Sequence, residues 1–293
     1  MHVAAEPVHM SMPPNTRASL PVIQAPPDLA SWTHCFASAD IPIHSNTAEA
    51  LEALRANEDA ADANMLGELI AVDPLMTLKL MAHAARNRRP TQLTDPETVT
   101  AAIVMMGISP FFRHFGPQPV VESQLQHQPE ALQGLMDVIR RSRRASDFAL
   151  AFAVHRMDDD TPVIHQAALL HDFAEMLLWV HGPQLALQMR AAQQANPELR
   201  SAKIQRQLLN VELADLQQSL MKAWRLPDLL TRVSDDKHAD HPSVRTVLLA
   251  VRLARHSAVS WDNPALPDDV ADLGDLLQLS PAATLKLLHD IDS

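Results

Sequence analysis

Apolar residues recur along this chain at intervals of three and four: Leu75, Leu78, Ala82 and Ala85, then Val99, Ile103 and Met106, then Ala167, Leu170, Ala174, Leu177 and Leu178. That spacing keeps one face of a helix buried, and no useful stretch shows the alternation that a half-buried strand needs. The pattern predicts an all-α protein. Helix starts are marked independently by a small polar residue followed by proline, in Asp73-Pro74, Asp95-Pro96, Ser109-Pro110, Thr161-Pro162, Asn196-Pro197 and Ser280-Pro281. The polar side chain can accept an orphan amide hydrogen bond, and proline has no N–H to leave unsatisfied. Gly107 and Gly182, with Pro110 and Pro183 close behind, stand where left-handed helix stops are expected. Together these signals predict helices at 48–60, 65–72, 74–87, 96–106, 130–157, 162–181, 183–195, 198–224, 227–234, 242–258 and 281–290.

Six of the 22 prolines fall within residues 1–27, a density that denies hydrogen-bonded structure and predicts a mobile tail. Residues 28–262 then form one helical domain and 263–293 a C-terminal helical extension. No fixed-period repeat suggests a solenoid. Composition narrows the function. With 24 Lys and Arg against 35 Asp and Glu, the net charge of −11 argues against broad attraction to nucleic acid or anionic lipid. A single cysteine, Cys35, excludes an intramolecular disulfide and a cysteine-based metal knuckle, and suits a reducing compartment. With no apolar run long enough for a membrane span and no export signal at the start, the expectation is a soluble cytoplasmic protein. Only 6 glycines are present, and no GxGxxG, GxxxxGK[ST] or GxSxG pattern occurs, which removes the warrant for nucleotide-loop and nucleophile-elbow enzymes.

The most informative stretch is Ala167-Ala-Leu-Leu-His171-Asp172-Phe-Ala-Glu175, an adjacent histidine and aspartate inside an apolar helix. Neighbouring helical side chains diverge by about 100°, so the two reach a common point only across a crevice, as a bound metal would require. The alternative is a core histidine beside a salt-bridged aspartate. Other clusters read more simply. Arg140, Arg141, Arg143 and Arg144 spread around a helix and make no basic stripe, although an inward guanidinium would need a carboxylate or a ligand anion. Asp158, Asp159 and Asp160 precede a helix start and suit its dipole better than a hard cation. His238 and His241 fall in a surface loop, and the 13 methionines sit at core-filling positions.

Four segments in order resemble the HD-related output domain, HDOD, over residues 41–255. Ile41-Pro42 with Ile70-Ala71-Val72-Asp73-Pro74-Leu75 and Lys79-Leu80-Met81 is similar to its "I..DP.L..KLL" segment. Val99 to Gly107 resembles "V..AI..LG", Ala168-Leu169-Leu170-His171-Asp172 resembles "GLLHDIG", and Leu220 to Pro227 resembles "L...W.LP". The resemblance implies a two-lobed, all-helical bundle of the HD-related type, distantly related to metal-dependent phosphohydrolases, found in bacterial signalling proteins and thought to act without catalysis.

A hydrolytic HD site needs a histidine from an earlier helix, the His-Asp pair, and an aspartate from a later helix, which together hold a divalent metal. Here only His171 and Asp172 remain, a vestigial pair. Arg141 stands where the first histidine would fall and Arg255 where the last aspartate would fall. A permanently protonated guanidinium repels a cation, so both changes oppose metal binding. The expectation is an ion pair between Asp172 and Arg141 or a neighbouring arginine, with Arg141, Arg144 and Arg255 as the candidate ion-pair or anion-binding residues and no metal, cofactor or catalytic residue. The reading is a non-catalytic signalling or scaffold protein that binds a protein partner, with a small anionic ligand as a second candidate partner and no membrane. Its rival is a metal-dependent phosphohydrolase acting on a nucleotide or cyclic nucleotide, with Glu175, or Asp236 and His238, supplying the missing ligands.

Overall fold

The computed structural model describes residues 21–88, 94–196 and 198–292, and its named elements there are all helical; an isolated bridge pairs Ile43 with Val120. An N-terminal group comprises α1 (Leu29–Ser38), α2 (Ser45–Arg55), α3 (Ala63–Ala71), α4 (Pro74–Arg86), α5 (Val99–Met106), α6 (Ile108–His114) and α7 (Val121–Gln124). The long α8 (Pro129–His155) opens the second group, followed by α9 (Thr161–Leu170), α10 (Phe173–His181), α11 (Pro183–Ala195), α12 (Ser201–Leu209), α13 (Leu213–Trp224), α14 (Asp228–Val233) and α15 (Pro242–His256). Two further helices, α16 (Leu266–Leu277) and α17 (Pro281–Ile291), complete the chain.

Local chemistry explains where these helices start and stop. Asp73 accepts from the amides of Leu75 and Met76, and Ser280 from that of Ala283, as the polar-proline pairs predict. The other pairs lie elsewhere. Thr98 rather than Asp95 caps α5, Ser109-Pro110 sits inside the first turn of α6, and Thr161-Pro162 are the first two residues of α9. The stretch after Asn196 is not yet helical, and Pro197 lies outside the described residues. Proline is tolerated anywhere in a first turn, where amides lack helical partners, so the pair marks a region rather than one cap. Gly107 does take a positive φ of 86°, but Gly182 has φ −134° and passes the chain straight to Pro183 of α11.

Two predicted helices are each broken in two. The stretch 198–224 divides at Asn210, whose φ of 63° is one that asparagine adopts more readily than most residues. The stretch 162–181 divides at His171 and Asp172, which form the turn between α9 and α10. Helices α1, α7 and α16 have no counterpart among the predicted ranges, and α6 is marked there only by its Ser109-Pro110 start; α16 begins among Pro264 and Pro267, which read as loop until one of them is placed in a first turn.

The central packing unit is α8 against α9 and α15. Leu135, Val138, Ala145, Phe148 and Phe152 of α8 are buried in it. Helix α1 packs on α13, where the Trp32 indole donates to the Leu209 carbonyl at 2.7 Å. Helix α4 touches α8, α9, α10 and α13, so both helix groups share one apolar cluster running from Trp32 to Leu288. Of the predicted tail, residues 1–20 lie outside the described residues, while the Val22 amide donates to the His181 carbonyl at 2.6 Å. The described part of the predicted extension, 263–292, packs on α15 and α8, with buried Asp269 held by Arg252 and His256, each at 2.7 Å. Among the described residues no helix is long and apolar enough to cross a membrane.

Candidate functional site

The break between α9 and α10 settles how adjacent residues can face one cleft. Once the chain leaves the helix at His171, the 100° divergence no longer applies, and both side chains line one cleft, Asp172 against α8 and His171 against the Asp236–His238 turn. Asp172 takes the N-cap position of α10 but makes no side-chain cap bond. Its carboxylate is directed instead at Arg141, whose Nη2 and Nε donate to Oδ2 at 2.7 and 3.0 Å. The same Nη2 donates to Glu175 Oε2 at 2.9 Å.

His171 is held from both sides. Nδ1 lies 3.0 Å from Asp172 Oδ1, and Nε2 lies 3.0 and 3.2 Å from the two oxygens of Asp236, in the short 3-10 turn Asp236–His238. Ionised carboxylates only accept, so each ring nitrogen must donate and the ring is an imidazolium. Burial works against that charge, but the hydrogen bonds to Asp172 and Asp236 outweigh it and raise the pKa from 6.5 to about 9. Burial likewise favours a neutral Asp172, yet Arg141, the His171 bond and Arg255 hold its carboxyl well below the usual range. Burial also opposes the Arg141 charge, and Asp172 and Glu175 overcome it and raise its pKa.

Arg255 of α15 approaches Asp172 Oδ1 only to 3.6 Å and is half exposed. Arg144, expected beside these residues, does not reach them. One turn along α8 its guanidinium pairs with Asp292 after α17 and lies 5.2 Å from the Phe148 ring centre and 5.6 Å from that of Trp261. The reason is angular: residues three apart on a helix are offset by about 60°, enough to move a side chain from the cleft to the C-terminal helices. His238 is also absent from the network; it is largely exposed and bonds Asp235 at 3.2 Å. Asp158 pairs with Arg156 at 3.2 Å, so the triple-aspartate run is not a common cation cradle.

A divalent metal does not fit this set. Arg141 and Arg255 bring permanent positive charge to Asp172, and His171 donates from both ring nitrogens, so the set offers a cation no nitrogen lone pair and repels it electrostatically. Among the described residues no group of three or more His, Cys, Asp or Glu is arranged to hold a metal ion. Over the network opens a cleft of about 850 Å³ whose far wall carries Trp179 and Arg190. Spacing gave no signal for either residue, or for the Asp236 contact, because they come from separate elements.

The helical order, the His-Asp turn and the flanking arginines define an HD-related helical protein. Residues 41–239 match the HDOD domain family, and the chain belongs to it. Its fold is similar to that of the MmoQ response regulator from Methylococcus capsulatus, at TM-score 0.63 and 20 % identity over 86 % of this chain and 99 % of that one. It is also similar to a virulence factor from Campylobacter jejuni, at TM-score 0.64 and 16 % identity over 90 % and 98 % of the two chains. Over 142 residues the sequence is 30 % identical to the probable cell division protein WhiA of Bifidobacterium animalis subsp. lactis; the match spans 47 % of this chain but only 42 % of that protein.

Proposed function

We propose that this chain is a non-catalytic bacterial signal-transduction or scaffold protein, which recognises a protein partner through a helical domain with a degenerate HD site. One observation carries the reading. Arg141 and a cationic His171 fill the electrostatic role of a metal, bridging α8, the α9–α10 turn and the Asp236 turn. A hydrolytic HD centre relies on a divalent ion to lower the pKa of its attacking water, and guanidinium and imidazolium groups, which have no vacant coordination site for water, do not supply that chemistry. Membership of the HDOD family supports a signalling role, as does the likeness to a protein named as a response regulator.

The rival phosphohydrolase has one point in its favour, since Glu175 and Asp236 do stand within reach of the vestigial pair. Both are spent on cations. The discriminating experiment measures bound metal after incubation with Mn²⁺ and assays phosphodiesterase activity on nucleotide and cyclic nucleotide substrates. The proposal expects no stoichiometric metal and no hydrolysis. Mn²⁺-dependent turnover abolished by His171→Ala would establish the rival instead.

A further inference from the structure

We infer that the cleft binds a small organic oxyanion, carrying a phosphate or carboxylate, between Arg190 and Arg255; this rests on the reading that the pocket recognises rather than cleaves. At about 850 Å³ the cleft has room for a nucleotide-sized molecule. What could hold an anion there depends on which charges inside the cleft already have partners.

Every carboxylate on the wall is engaged. Asp172, Glu175 and Asp236 belong to the Arg141–His171 network. On the rim, Glu212 pairs with Arg206, Asp215 with Lys237 at 2.8 Å, Asp137 with Arg140 at 3.2 Å and Asp235 with His238 at 3.2 Å. The cations are not so evenly matched. Arg252 is neutralised by Asp269 and Asp272, whereas Arg255 is a loose ion partner, 3.6 Å from an Asp172 carboxylate that Arg141 and His171 already engage, so its N–H groups are beyond hydrogen-bond reach of it. Arg190 has no carboxylate partner among the described residues; its guanidinium lies 4.6 Å over the Trp179 ring.

That stack is an anchor with its donors unspent. The ring holds the guanidinium by cation–π attraction, and its N–H groups donate to no acceptor among the described residues, so they can serve a two-oxygen acceptor. Gly134 on α8 makes room for it: a Cβ there would meet Arg190 Nη2 at 2.1 Å and Trp179 Cη2 at 2.6 Å. Trp179 in turn donates to Glu175 Oε1 at 3.4 Å, so an anion on Arg190 would sit at the end of the chain of contacts leading to Arg141.

The test titrates the full chain with pyrophosphate, adenosine monophosphate and citrate by calorimetry and tryptophan fluorescence, with adenosine as the neutral control. Saturable binding of at least one anion and none of adenosine is expected, and the preferred probe distinguishes phosphate from carboxylate. Arg190→Ala and Arg255→Gln should each weaken that binding about tenfold or more, Arg190→Lys should restore only part of it, and Arg55→Ala, whose pair with Glu52 on α2 lies outside the cleft lining, should leave it unchanged. Arg255 is half exposed, so Arg255→Gln keeps the test valid should Arg190→Ala fail to fold. No saturable binding of any probe below about 10 mM, or affinity unchanged by Arg255→Gln, overturns the site. The two readings fail separately. Anion binding accompanied by Mn²⁺-dependent hydrolysis would sink the non-catalytic reading and keep the site, whereas absence of both would do the reverse.

Discussion

Arg141 and Arg144 stand three residues apart on α8, similarly shielded from solvent, and each secures a different half of the molecule. Arg141 faces the cleft and ties α8 to α10 through Asp172 and Glu175. Arg144 faces the C-terminal helices, pairs with Asp292 and is flanked by Phe148 and Trp261. The first network is enclosed and mutually dependent, because removing one cation weakens the hold on two carboxylates. The second is a clamp at an edge, where water can replace what is lost. The difference teaches that residue type is not role: one helix uses the same side chain as an internal bridge between two carboxylates and as a strap to the C-terminal helices.

The largest expected effect comes from emptying the cleft side. Arg141→Met strips Glu175 of its cation and leaves Asp172 only His171 and the looser Arg255, and should cost about 3–5 kcal/mol in urea unfolding. A loss as small as that of an exposed pair would mean the network is ornamental.

His171 supplies the next effect, and its sign is fixed. Because its pKa is raised in the fold to about 9, its contribution is complete below the unfolded value of 6.5 and disappears as pH rises through 9. A shift of that size corresponds to about 3 kcal/mol. The stability gap between the parent and His171→Gln should therefore be widest near pH 6 and close by pH 10. Asp172 moves the opposite way: its depressed pKa gives stability that is present above 3.8 and lost as pH falls below it. A gap that widens with alkali would contradict the imidazolium assignment.

Arg144→Ala should cost less, about 1–2 kcal/mol, from one partly exposed pair and its aromatic contacts. The loss should be local. Hydrogen exchange should quicken in α16 and α17 and stay unchanged around His171, and spread of the effect into the cleft would show the two networks to be one. The smallest effect is that of Arg140→Ala, below about 0.5 kcal/mol, since this arginine holds only exposed Asp137.

Much of this comparison was legible in the sequence. Helical periodicity gave the fold class, and the resemblance directed attention to His171, Asp172, Arg141 and Arg255, which the structure brings to one cleft. The helix break at His171 was not legible, because an unbroken apolar pattern runs through Leu170 and Phe173 and a two-residue turn leaves no proline or glycine to announce it. Arg144 was misplaced because helical angle, not proximity in sequence, decides which cavity a side chain enters. Asp236 was named only as an alternative ligand and its contact with His171 had no signal, and Arg190 was hidden, for the opposite reason: each meets the cleft through tertiary packing between segments tens of residues apart. Local chemistry can be read from spacing, and a site assembled from five elements cannot.

The central claim is that fixed cations occupy the position of a metal. The most direct measurement is calorimetric titration of the full chain with Mn²⁺, paired with metal analysis after dialysis. The account predicts no stoichiometric uptake by the parent chain, and uptake of one ion once Arg141→His and Arg255→Asp together restore a four-ligand set. One equivalent bound by the parent chain, and lost in His171→Ala, would contradict it.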